Sequence, residues 1–102
     1  MRTVGLSDLD IAARAVLAVS REHWTATAER LVNEAHMADL WRKRHGTAHP
    51  NGGTGSLYVQ ATLGPTVGSS DCTAQYCAAL CTVMKALKAW RIRCETGTDH
   101  ET

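Results

Sequence analysis

The four cysteines are the first side chains in this sequence to which metal or redox chemistry is open. Their spacing is Cys72-x4-Cys77-x3-Cys81-x12-Cys94. Structural zinc sites bring two thiolates together on a C-x2-C turn, whereas all four cysteines here fall on one expected helix. Cys77 and Cys81 share a face of it, and Cys72 and Cys94 point elsewhere, so zinc would need His36, His45 or His49 from another element. A disulfide within one helix is geometrically poor. The plainer expectation is four small apolar cysteines buried in a core, with no metal and no cofactor. His45 and His49 flank a turn, where they either contact phosphate or hydrogen-bond locally; His23, His36 and His100 have no partner nameable from sequence. The glycine-rich turn between them lacks G-x-x-x-x-G-K-[ST], follows a helix and has no lysine after its glycines. It reads as a turn that needs positive φ. No serine has a base at recognisable spacing and no acid–base pair stands out, so no catalytic residue is assigned and the chain is read as non-enzymatic.

Charge is the other resource. The net value is only +1, but it is unevenly placed: residues 1–39 carry −2, residues 40–94 carry +6 and residues 95–102 carry −3. Arg42, Lys43 and Arg44 together with Lys85, Lys88 and Arg91 could line one side of an antiparallel helix pair. Repeated around a ring, that side would hold DNA phosphates without reading bases. The competing reading is a solvated face plus compensation of a helix end.

The elements that must position these groups are all expected to be helical. Leu9, Ala12, Ala13, Val16 and Leu17 recur at helical spacing, which predicts a helix over residues 8–19 with Ser7 and Asp10 as its capping box. A second helix over residues 21–44 starts behind Ser20. Trp24, Ala28, Leu31, Ala35 and Ala38 make its apolar stripe, widened by Val32 and Trp41. Arg30–Glu34 and Asp39–Lys43 are expected i,i+4 pairs on its exposed face. Gly46 can take the left-handed cap, His49 is held out of helical geometry by Pro50, and Asn51-Gly52-Gly53 supplies turn chemistry. Ser56 caps a short helix over 57–63, which Gly64-Pro65 ends. Ser70 or Asp71 caps a last helix running to 93, with Cys77, Leu80, Met84 and Leu87 as its apolar seam.

Composition bounds the whole. A chain of 102 residues with 44% hydrophobic content fits one folded domain. It has no Phe, and much of its apolar content is Ala, so burial against a second copy is expected to supplement a thin core. The apolar run over 11–19 contains Arg14 and follows two aspartates, unlike a signal peptide. No stretch approaches the roughly 20 apolar residues of a membrane span. The expectation is therefore a cytoplasmic protein with reduced cysteines. Its fold class is all-α: a single helical domain over 1–94, with two long antiparallel helices and short ones in a small, oligomeric bundle. A disordered polar tail over 95–102 follows it. Trp24, Leu31, Trp41, Leu80, Met84 and Leu87 are the expected core or subunit contacts.

The segment Arg44-His45-Gly46-Thr47-Ala48-His49-Pro50-Asn51-Gly52-Gly53-Thr54-Gly55-Ser56-Leu57 resembles R-x-G-x-x-H-P-x-x-G-x-G-S-L. This pattern is associated with a small alphaproteobacterial family linked to gene transfer agents and tailed phages. Gly46, His49, Pro50, Gly55 and Ser56 carry it, and the Ala-rich first helix and Ala/Leu-rich last helix look similar too, over about residues 1–93. The resemblance implies a small-terminase-like DNA-packaging factor of a bacterial host cytoplasm or a virion. Such a protein self-associates and contacts a large terminase or another particle protein, and here also double-stranded DNA non-specifically. The chain departs from a full small terminase in lacking a helix-turn-helix, and its cysteines are unlike the family. Two alternatives stay open: a structural or adaptor protein that binds another protein through its helices, and a Cys/His metal module.

Overall fold

A computed structural model describes residues 1–68 and 72–96, and among these every regular element is helical. Helix α1 spans Leu6–Leu17, a single turn of 3-10 helix spans Arg21–His23, and α2 spans Trp24–His45; α3 spans Leu57–Thr62 and α4 spans Ala74–Glu95. No helix among the described residues is long and apolar enough to cross a membrane.

The capping chemistry explains most of the boundaries. The first helix begins earlier than its sequence predicts. Gly5 is the cap, and its backbone N–H donates to the Asp8 carboxylate at 2.8 Å. Ser7 and Asp10 are therefore not the capping box, and Asp10 is released for another partner. Gly46 closes α2 at φ 73, its N–H donating to the Arg42 carbonyl at 2.8 Å. The Ser56 hydroxyl accepts from the Val59 N–H at the start of α3, and Thr73 does the same for Tyr76 on α4. Ser70 and Asp71, the expected caps of the last helix, lie outside the described residues, as does most of the tail over 95–102. Glu95 belongs to α4.

The long helices do not pair antiparallel. Thr25 and Glu29 of α2 border Thr82, Lys85 and Ala86 of α4. Val32 and Asn33 border Ala86, Ala89 and Arg93. The His36 ring meets Trp90 edge-on with centroids 5.3 Å apart. Residue numbers rise together on both helices, so α2 and α4 run parallel. The reason lies in the connection. From Gly55 onward the chain travels back along α2: the Gln60 amide donates to Glu34, and Leu63–Pro65 come to lie beside Thr27 and Arg30. The Val67 N–H then bonds the Arg14 carbonyl at the far end. A return leg containing its own helix brings the chain to the start of α2 before α4 begins, and α4 then repeats the direction of α2.

The core is built on close approach of small residues. Among the described residues half of the buried apolar positions are alanine, and Ala13, Ala35 and Ala79 are wholly enclosed. Trp24, Tyr76 and Trp90 supply the large buried surfaces that alanine lacks. The buried stripe of α4 is Tyr76, Ala79, Val83, Ala86 and Trp90, not the expected seam. Leu80 and Leu87 pack at its margin, whereas Cys77 and Met84 face outward. Sequence spacing alone ranks both stripes as helical; the choice went to the one carrying the two largest aromatic side chains.

Tyr76 ties α4 to α1. Its hydroxyl donates to Asp10 at 2.7 Å, and that hydrogen bond together with burial pushes its pKa up to about 12. Asp10 also accepts from Arg14 at 2.8 Å. Replacing Tyr76 with Phe removes a donor from a half-buried carboxylate without opening a cavity. We expect a loss of about 1.5–2 kcal/mol in urea unfolding with unchanged denaturant slope. A variant as stable as the parent would remove this bond from the account.

Candidate functional site

Two surfaces gather the polar and cationic groups. The first is the outer face of α4. Cys77, Cys81, Met84, Lys85, Lys88, Arg91 and Ile92 are all exposed there, Met84 and Ile92 by about half of their surface. The helix contains no acidic residue before Glu95. The Arg91 guanidinium lies over the Trp90 ring at 5.1 Å, and Lys85 sits beside Glu29 of α2. The cysteines are thus mostly surface residues, contrary to the expectation of buried ones: Cys72, Cys77 and Cys81 are exposed and Cys94 is half-buried, all as free thiols. Among the described residues no three His, Cys, Asp or Glu side chains converge as a metal site would require.

The second surface is the C-terminal end of α2. Here the basic triplet divides. Arg42 and Lys43 turn to Asp39, at 3.1 and 3.2 Å, and of the triplet only Arg44 is exposed without an ion pair among the described residues. Asp39 is not on an exposed face; its side chain is 3% accessible. Its third cation is the Met1 amino group at 3.1 Å, itself part-buried and 3.3 Å from His36 Nδ1. Burial acts to raise the Asp39 pKa, but bonds from the Met1 amine, Lys43 and Arg42 outweigh it and hold the carboxyl down at about 2.

The glycine-rich loop folds over this ion cluster. The Arg2 N–H bonds the Gly55 carbonyl at 2.8 Å, and the His49 N–H bonds that of Gly53 at 2.9 Å. The loop thereby brings His49 back onto α2. Trp41 and His45, one turn apart, have ring centroids 4.1 Å apart, and His49 meets Trp41 edge-on at 5.1 Å. The Asn51 N–H donates to His49 Nδ1 at 3.2 Å, which fixes the ring's orientation. Met37, Leu40, Trp41, Arg44, His45 and His49 line a groove of about 230 Å³. The Trp41 indole N–H is buried and has no acceptor among the described residues.

Of the expected contact residues, Trp24 and Leu31 are enclosed by the chain's own core, Trp41 lies in the groove, and Met84 stands on the outer face. The expected i,i+4 pairs Arg30–Glu34 and Asp39–Lys43 both form, at 3.0 and 3.2 Å, but sequence reasoning missed the burial of Asp39 and the part of Met37 and Leu40. For Asp39 a signal existed: it follows Val32 by seven and Ala35 by four, which puts a carboxylate on the apolar side of the helix.

Fold and surfaces together define a small all-α protein whose polar groups serve ion pairing and surface contact. The chain belongs to the family described as "Domain of unknown function (DUF7742)", whose model matches residues 2–87. That span contains the loop, Asp39 with Arg42 and Lys43, and the groove, and leaves out Met1, Lys88 and Arg91. No curated protein and no solved structure matches the chain.

Proposed function

We propose that this chain is a non-enzymatic, self-associating DNA-contact factor of the small-terminase type, acting in a bacterial cytoplasm beside a particle-packaging machine. The supporting observation is the outer face of α4, where Lys85, Lys88 and Arg91 alternate with Cys77, Cys81, Met84 and Ile92 and no acid intervenes. The cations supply phosphate contact without base reading, and the exposed apolar groups supply the contact between copies. Arg42 and Lys43 drop out of the phosphate-binding set because Asp39 engages them, and Arg44 lies on the separate surface at the end of α2. With three cations per copy, log affinity for duplex DNA should fall against log salt with a slope of about −3. Reversing Lys85, Lys88 and Arg91 to Glu should abolish retention. Binding that ignores both salt and charge reversal would end the phosphate reading.

A homotypic contact through this face brings like charges together. Self-association should therefore strengthen as salt rises from about 50 to about 500 mM, while DNA binding weakens. The second reading, an adaptor that binds an acidic protein helix, rests on the same apolar residues. It predicts a monomer by sedimentation at both salt levels and no DNA retention.

A further inference from the structure

We propose that the groove at the C-terminal end of α2 is a docking site for a short acidic, leucine-like segment of a partner protein, independent of the α4 face. The floor of the groove is apolar: Met37, 56% exposed, with Leu40 and the face of Trp41. The rim holds Arg44, His45 and His49, and no carboxylate among the described residues lines it. The nearest acid on the same helix, Asp39, is buried and saturated by the Met1 amine, Arg42 and Lys43, so it does not cancel the charge of Arg44.

Two features specify the occupant. Arg44 is an exposed guanidinium without an ion pair among the described residues, suited to a carboxylate held by two parallel bonds. The volume of about 230 Å³ is below the range of small-molecule cavities and suits one bulky apolar side chain with a neighbouring carboxylate. Nucleic acid would satisfy Arg44 but leave Met37 and Leu40 without apolar contact, so the complementarity favours protein.

The rigidity of the site supports docking. His49 is fixed by its own backbone bonds to Gly52 and Gly53 and by the Asn51 N–H on its ring, while His45 stacks on Trp41 one helical turn away. The aromatic wall is therefore formed before anything binds, which limits the entropy lost on association.

The probe is a peptide of about six residues alternating aspartate and leucine, with a lysine-for-aspartate control and a duplex oligonucleotide. Indole N–H resonances of the full chain are followed by NMR, and Trp41→Phe assigns that of Trp41. The expected result is a saturable micromolar shift of the Trp41 resonance by the acidic peptide. Arg44→Glu, a surface change that leaves the fold intact, should weaken it about tenfold or more. The proposal is overturned if no saturation occurs, if the lysine peptide binds equally well, if Arg44→Glu has no effect, or if duplex DNA moves the Trp41 resonance more strongly than the peptide does. Loss of DNA binding on reversing Lys85, Lys88 and Arg91 tests the other face and leaves this result unchanged.

Discussion

Replacing Asp39 with Ala should cost about 3–5 kcal/mol, a large part of the 5–15 kcal/mol that holds a typical domain. The magnitude follows from which partner is stranded. Arg42 and Lys43 have side chains 36% and 63% accessible and can swing into water when the carboxylate is gone. The Met1 amine, part-buried between Asp39 and His36 and tethered by the neighbouring Arg2–Gly55 bond, is less free to do so. An uncompensated ammonium then sits beside His36 under the glycine loop, and the desolvation of that one charge dominates the loss. Asp39→Asn keeps the shape and one acceptor, so it should lose less than Ala. Acetylating the Met1 amine removes the same pair from the other side and should reproduce part of the same loss. Urea unfolding at neutral pH measures all three; an Ala variant within about 1 kcal/mol of the parent would remove the cluster from the stability account.

The acid limb gives an independent check. The Asp39 carboxyl has its pKa depressed to about 2 from an ordinary 3.8. A depressed pKa means that the folded state favours the ionised form. Its contribution is present in full above about pH 4 and disappears as pH falls through about 2. The shift corresponds to about 2 kcal/mol. It is smaller than the Ala deficit because a protonated carboxyl still fills the space and still hydrogen-bonds. Unfolding free energy of the parent should therefore drop more steeply between pH 4 and 2 than that of Asp39→Asn, and parallel acid limbs would contradict the assignment.

How far these features can be read from the chain depends on the range of the forces that make them. Local rules carried the helix ends: Gly46 at the end of α2 and Ser56 at the start of α3 are where their backbone chemistry requires them, because caps act within four residues. They failed at α1, where Gly5 and Asp8 outcompete Ser7 and Asp10, since Asp10 is drawn away by Tyr76 from 66 residues on. Helical periodicity found the buried side of α2 but chose the wrong side of α4. Periodicity there supports both Cys77–Leu80–Met84–Leu87 and Tyr76–Val83–Trp90, and tertiary packing decides between them. The parallel pairing of α2 and α4 was illegible for a different reason. It depends on the chain from Gly55 to Val67 running back along α2, and nothing within that segment announces the direction it takes. The candidate groove was half legible: His45 and His49 were visible as a pair flanking the turn, but Trp41 joins them only because the loop folds back. Met37 and Leu40 looked like ordinary helix positions.

The loop's fit against Asp39 leads to the second large effect. Gly55→Ala should destabilise the protein by about 3 kcal/mol. Two independent terms add. Gly55 has φ +97, where an L side chain is strained by about 1–2 kcal/mol. An added methyl would also lie 2.8 Å from both Cβ and Oδ1 of Asp39 and 2.9 Å from its Cα. Two of those three atoms are backbone or one bond from it, inside a 22-residue helix, so no side-chain rotation relieves the clash. The loop must lift instead, which pulls the Gly55 carbonyl from the Arg2 N–H and loosens the segment that carries the Met1 amine to Asp39. Gly46→Ala is the internal control. Gly46 has φ +73, but a methyl there meets nothing within 4 Å, so only the backbone term of about 1 kcal/mol remains. The difference between the two variants in urea unfolding isolates the contact with Asp39. If Gly55→Ala proves no worse than Gly46→Ala, the loop is not seated on the aspartate, and the pre-formed wall of His49 against Trp41, which the same loop positions, loses its support.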